Sequence, residues 1–248
     1  MRPETAPGVT RRDAMIAGFR GAAALGLGSA FLAGCQRQVA SSDLPMPNWP
    51  DTGTTVKPNA PAPMPQPGAA APEAPVAGVI PRSQWAGGAP ILSRMERMQP
   101  IRRITIHHSA IPTTGGSRQL VARELEQIRQ SHLNRKGEPF GDIGYHYIVD
   151  PQGNVWEGRS LQYQGAHVAK QNEGNLGIMC MGNFEIQRPT PAQVASVTRF
   201  TVQQMRRYNI PVTEVRTHRE MAQTLCPGRN LQGILVSARA RGGAIATG

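Results

Sequence analysis

Two hydrophobic periods alternate along the second part of the chain. Ile101–His107 is a β-branched run suited to a buried strand. Ser117 is placed to N-cap a helix reaching about Asn134, with Leu120, Leu125 and Ile128 as its apolar face. Tyr145–Val149 and Asn154–Glu157 flank the turn-rich Asp150-Pro151-Gln152-Gly153, which predicts a hairpin. Leu176–Met181 is a further short apolar strand. Thr190-Pro191 opens a second helix to about Tyr208, with proline in the first turn where its missing N–H costs nothing. Glu214–Thr217 reads as a short strand or loop, and Asn230 to about Arg239 as a third helix. Strands and helices in alternation, with one hairpin, predict a single α/β domain: a central mixed β-sheet flanked by helices.

The first part of the chain lacks such periods. Residues 36–78 hold 10 of the 22 prolines, and the run from Pro58 to Pro67 can form neither a helix nor a ladder-bonded strand. A disordered, polyproline-like linker with a reach on the order of 100 Å is expected; a docking site for an SH3-like partner is the other use of such a tract. Residues 1–35 resemble an export signal. Arg2, Arg11 and Arg12 precede an apolar stretch from Gly21 to Gly34, too short for the ~20 residues that span a bilayer. Thr10-Arg11-Arg12-Asp13 resembles a twin-arginine signal, with Ala14 and Met15 where a more apolar pair is usual. Leu32-Ala33-Gly34-Cys35 resembles a lipobox, in which Cys35 becomes the lipidated first residue of the mature protein. The expected organisation is a signal (1–35), a linker (36–78), a domain (79–240) and a flexible tail (241–248). It implies an exported, periplasm-facing lipoprotein on the inner or outer membrane.

Composition adds two constraints. Three cysteines are too few for a disulfide framework. The formal net charge is +11, and residues 79–248 carry +10 of it, with 21 Lys and Arg against 11 Asp and Glu. Such a domain suits an anionic polymer. Nucleic acid is not expected, because no zinc-finger spacing or RNP sequence is present.

The candidate chemistry lies in the histidines. All six fall in the domain: His107, His108, His132, His146, His167 and His218. His107 and His108 end a predicted strand, and His218 precedes Cys226 by eight positions, with Pro227-Gly228 just beyond. Imidazole and thiolate are preferred ligands of Zn²⁺, and three protein ligands leave one position open. On spacing alone, this set fits either a metal centre or structural histidines with a buried thiol.

Five blocks in order narrow the choice. They are Ile104-Thr105-Ile106-His107-His108-Ser109-Ala110; Asp142-Ile143-Gly144-Tyr145-His146-Tyr147; Gly165-Ala166-His167; Asn175-Leu176-Gly177-Ile178 with Gly182-Asn183-Phe184; and His218-Arg219 with Cys226-Pro227-Gly228. Together, over about 78–235 and opened by Pro81-Arg82-Ser83-Gln84-Trp85, they resemble the zinc N-acetylmuramoyl-L-alanine amidase family shared by peptidoglycan recognition proteins and T7-type phage lysozyme. The resemblance implies a monomeric enzyme with an active-site groove on one face of the sheet. It would hydrolyse the amide between N-acetylmuramic acid and L-alanine of peptidoglycan. It also implies that His107, His218 and Cys226 hold Zn²⁺. Tyr145 would orient the attacking water or the amide carbonyl, and Thr224 would contact the developing oxyanion. His108 and His167 are expected to contact substrate. Gln223 departs from the pattern, which often has proline there. His146 alternates away from Tyr145 and is expected to be structural, His132 is expected at the surface, and Cys180 as a buried thiol.

Overall fold

The computed structural model describes residues 78–248. The signal, almost all of the linker, and Cys35 lie outside the described residues. Among the residues described, no helix is long and apolar enough to cross a membrane.

Six strands form one sheet: β1 (Val79–Ile80), β2 (Arg103–His108), β3 (Tyr147–Val149), β4 (Val155–Glu157), β5 (Asn175–Cys180) and β6 (Val215–Thr217), in the order β1-β4-β3-β5-β2-β6. β3 and β4 pair antiparallel as the expected hairpin, and every other pairing is parallel. The three helices are α1 (Arg118–Leu133), α2 (Pro191–Tyr208) and α3 (Arg229–Arg239). Their starts follow from local chemistry. Ser117 accepts the Leu120 N–H and Thr190 accepts that of Gln193, each satisfying a donor the first turn leaves open. Asn209, in the left-handed conformation, stops α2.

Side chains alternate across each strand, so the sheet separates two cores. On one face Ile104, Ile106, Leu176, Ile178 and Val215 pack with Val197 and Phe200 of α2 and with Leu231 and Leu235 of α3. On the other, Ile148, Trp156 and Met179 pack under Val121, Leu125 and Ile128 of α1. Val121 takes the core position expected of Leu120, which is 41% exposed. Leu125 and Ile128 face the core as read; Leu120 lies five positions before Leu125, about 140° round the helix, and falls outside that face, whereas Val121, four before, falls on it. Residues 241–248 do not run free either. Ile245 is 1% exposed within the α2–α3 core, and its N–H bonds the carbonyl of Ala238.

The second face has a consequence for function. α1 covers the β3, β4 and β5 side of it. Over β2 and β5 the same face presents Thr105, His107, Asn175 and Gly177, a polar strip in place of an apolar one.

Candidate metal centre

His107 is carried by β2, near the end of the strand, and points to the polar strip. His218 begins the single turn that follows β6, the strand next to β2. That turn is fixed by Glu220, whose carboxylate accepts the Thr217 N–H at 2.9 Å and pairs with Arg239 of α3. Cys226 follows on a loop closed by Pro227-Gly228. Gly228 has φ +83°, and a Cβ there would lie 2.3 Å from the backbone of Phe184, so only glycine fits.

The fold brings His107, His218 and Cys226 together. One ligand atom from each lies within 4.8 Å of the other two, and all three residues are buried. A tetrahedral Zn²⁺, with bonds of about 2.3 Å to sulfur and about 2.05 Å to nitrogen, would set sulfur and nitrogen about 3.6 Å apart and the two nitrogens about 3.3 Å apart. His107 Nδ1 and Cys226 Sγ lie 3.6 Å apart. Two imidazoles and a thiol at this spacing fit that ion.

Burial sets the protonation of the group. It holds the His107 imidazole well below its usual range, with His218, His167 and His108 adding to the effect, and it lowers His218 to about 4. Both rings are therefore neutral at pH 7 and have a lone pair to offer. Burial pushes the Cys226 thiol up to about 12, opposed by the His108 N–H and by Arg219. The His108 N–H donates to Sγ at 3.4 Å.

Tyr145 stands beside this cluster, 4% exposed, with its ring 5.2 Å from that of His107. Burial, then the Cys226 sulfur, raises the phenol above its ordinary value, so it remains an O–H donor. Thr224 is half-buried, and its Oγ1 accepts the Cys226 N–H at 3.2 Å, which leaves its own hydroxyl proton to donate.

The remaining histidines are all buried. In place of the expected substrate contact, both ring nitrogens of His167 are engaged inside the protein: Nδ1 lies 3.0 Å from His107 Nε2, and Nε2 3.2 Å from the Asn175 carbonyl. His108 points to the opposite face of β2, where Nδ1 accepts the Phe184 N–H at 3.2 Å. His146 is structural, as expected: Nδ1 accepts the Gly177 N–H at 2.9 Å, and Nε2 donates to the Tyr163 carbonyl at 3.1 Å. His132 corrects the sequence reading. It is 5% exposed, Nδ1 accepts the Gly144 N–H at 3.2 Å, and its ring packs on Phe140 and Tyr145. Its place in the last turn of α1 suggests solvent, but residues 140–145 fold back over that turn. Cys180 is a fully buried thiol in the α2–α3 core.

Sequence reading missed Thr105 and Asn175 as parts of this assembly. Thr105 Oγ1 donates to Asn175 Oδ1 at 2.8 Å beneath the histidines. Their signal was polarity at positions alternating with the apolar Ile104, Ile106, Leu176 and Ile178.

Comparison with known proteins places this arrangement. The N-acetylmuramoyl-L-alanine amidase family model matches residues 97–229, more than half of the chain. A short peptidoglycan-recognition protein of Drosophila simulans is 35% identical over 156 residues, covering 62% of this chain and 82% of that protein. Human N-acetylmuramoyl-L-alanine amidase is 30% identical over 172 residues, covering 63% of this chain and 27% of the human protein. A solved complex of tracheal cytotoxin with the ectodomains of peptidoglycan recognition proteins LCa and LCx aligns with a TM-score of 0.57 at 28% identity, over 63% of this chain and 93% of that one.

Proposed function

The chain belongs to the N-acetylmuramoyl-L-alanine amidase family, and we propose that it is a zinc-dependent hydrolase. It cuts the amide between N-acetylmuramic acid and the L-alanine of the stem peptide in peptidoglycan. The observation that carries this reading is the closed set His107, His218 and Cys226 with Tyr145 against it. A protein that only recognised peptidoglycan would need no such ligand set.

His107, His218 and Cys226 would hold Zn²⁺. When bound, the ion lowers the pKa of water to roughly 7 and polarises a carbonyl, which answers the two difficulties of hydrolysing an amide at neutral pH. The protein's own groups supply the rest. The phenol of Tyr145 stays protonated and offers an O–H to negative charge developing on the substrate oxygen. The Thr224 hydroxyl, held by the Cys226 N–H, is oriented to offer a second. Donors fixed in advance in a dry site cost no reorganisation as the charge appears. The polymer is bound by a domain of net charge +10, which suits an anionic wall.

The test is digestion of purified peptidoglycan by the full-length protein with zinc, followed by mass spectrometry. Free stem peptides beginning with L-alanine are expected. Cys226→Ser should abolish their release while peptidoglycan pull-down persists. Loss of both would contradict the division between binding and hydrolysis, and release of a different bond's product would contradict the assigned reaction.

The same reading places the enzyme in the cell envelope as a monomer, exported and tethered through a lipid on Cys35. The supports are Leu32-Ala33-Gly34-Cys35 and the Pro-rich stretch after it. Metabolic labelling with a palmitate analogue should mark the wild type and leave Cys35→Ala unmarked; equal labelling of both would remove the tether.

A further inference from the structure

We propose that His167 is a positioning residue. Together with the Asn175 carbonyl, it holds His107 in the tautomer protonated on Nε2, so that the Nδ1 lone pair faces His218 and Cys226. The function of this arrangement rests on the metal reading above; the tautomer itself does not.

A count of protons assigns the tautomer. A carbonyl oxygen can only accept, so the His167 Nε2 that lies 3.2 Å from the Asn175 oxygen carries a hydrogen. Neutral imidazole has one N–H, so His167 Nδ1 is an acceptor. His107 Nε2, 3.0 Å away, must then donate to it. That leaves His107 Nδ1 bare, and this is the nitrogen 3.6 Å from Cys226 Sγ. The other tautomer of His107 would set two lone pairs against each other across the 3.0 Å contact.

The surroundings hold each member of the chain in place. His167 lies in a slot between two glycines. A Cβ at Gly165 would come within 2.2 Å of its Cδ2, and one at Gly177 within 2.5 Å. The loop that it opens is pinned by Asn172 Oδ1, which accepts the N–H of both His167 and Val168. Asn175 is anchored through its side chain, accepting from Thr105 Oγ1 and donating to the Gln171 carbonyl, each at 2.8 Å. Two sequence blocks, Gly165-Ala166-His167 and Asn175-Leu176-Gly177, are thereby joined in one device. The hydrogen bond made by one imidazole nitrogen decides which nitrogen is left for a metal.

The first test uses the metal-free, full-length wild type labelled with ¹⁵N. Two-bond ¹H–¹⁵N correlation should show His107 and His167 both protonated on Nε2. His107 protonated on Nδ1 would overturn the proposal. The second test measures zinc affinity by chelator competition. His167→Leu should bind zinc about 10–100-fold more weakly. His167→Asn, whose Oδ1 can accept where Nδ1 did, should lose less. A His167→Leu protein that binds zinc within about twofold of wild type would overturn the proposed role. A wild type that takes no zinc yet shows His107 protonated on Nε2 would uphold the tautomer assignment and sink the hydrolase reading instead.

Discussion

Acidification should destabilise this domain well above the range in which carboxylates titrate. The cause is His132 and His146, which lie outside the metal-ligand set. Burial lowers His132 to about 3 and His146 to about 4, from an ordinary value of 6.5. His132 Nδ1 and both nitrogens of His146 are engaged as neutral imidazole. The folded pKa lies below the unfolded one, so the unfolded chain takes up protons first as pH falls. Stability is therefore full above about pH 6.5 and declines below it, levelling only near the folded values. At pH 5 an unfolded histidine is almost fully protonated and these two remain largely neutral. Integrated from pH 7 to 5, each costs about 2 kcal/mol, or about 4 kcal/mol for the pair. In a domain of this size that is a fall in Tm of roughly 8–16 °C. His108 and His218, each lowered to about 4, act in the same direction. Glu126, lowered to about 2, adds its loss only below the ordinary carboxylate value of 4.5. The assay is urea denaturation of chelator-treated protein at half-unit steps of pH. His132→Asn, which retains an acceptor for the Gly144 N–H, should flatten the slope near pH 5 by about 1.3 kcal/mol per unit. A wild-type stability that stays level from pH 7 to 5, or a His132→Asn slope equal to wild type, would falsify the reasoning.

Asp142 is 1% exposed and accepts two bonds from Arg82, each 2.9 Å, with Arg129 at 4.0 Å. Asp142→Ala leaves the half-buried Arg82 guanidinium without its carboxylate, while Arg129 keeps Glu126, and should cost about 3 kcal/mol, read by thermal melting; a loss under about 1 kcal/mol would show the pair to be idle. Gly228→Ala forces a side chain into the Phe184 backbone at a positive φ, so zinc affinity and melting temperature should fall together, whereas an unchanged protein would mean the Cys226 loop adapts freely. Tyr145→Phe should lower the rate of stem-peptide release about 10²–10³-fold with zinc affinity intact; full activity would remove the phenol from the chemistry.

Much of this was legible before any coordinates. Strand β2 follows from its β-branched run, and α1 and α2 from Ser117 and from Thr190-Pro191, because caps and turns are decided by neighbours in sequence. The buried face of α1 was legible in Leu125 and Ile128; Leu120 was set on it wrongly, because the residue four before Leu125 on that face is Val121. His132 was misplaced because residues 140–145 return over the last turn. His107, His218 and Cys226 were named together because five sequence blocks carried a resemblance, and the fold brings the three side chains within 4.8 Å of one another. Their atoms were not legible: His107 meets His167 and Cys226 only through pairing of distant strands, and no local pattern reports which ring nitrogen faces which partner.

Five of the six histidines form a connected system once those atoms are assigned. His107 and His218 face Cys226, and His167 stands behind His107. His132 and His146 each accept a glycine N–H, from Gly144 and Gly177 respectively. Gly144 adjoins Tyr145, and Gly177 forms one wall of the His167 slot. The two structural imidazoles therefore fix the backbone that carries the phenol and the ring behind the ligand. Protonating either converts an acceptor into a donor facing a donor. Folded His146 titrates at about 4 and His132 at about 3, so this disturbance of Tyr145 and His167 sets in only below the range in which stability first declines. In wild type, activity should fall further between about pH 5 and 4 than the folded fraction does. In His146→Asn, whose Oδ1 can accept the Gly177 N–H without titrating, the gap between the two should narrow.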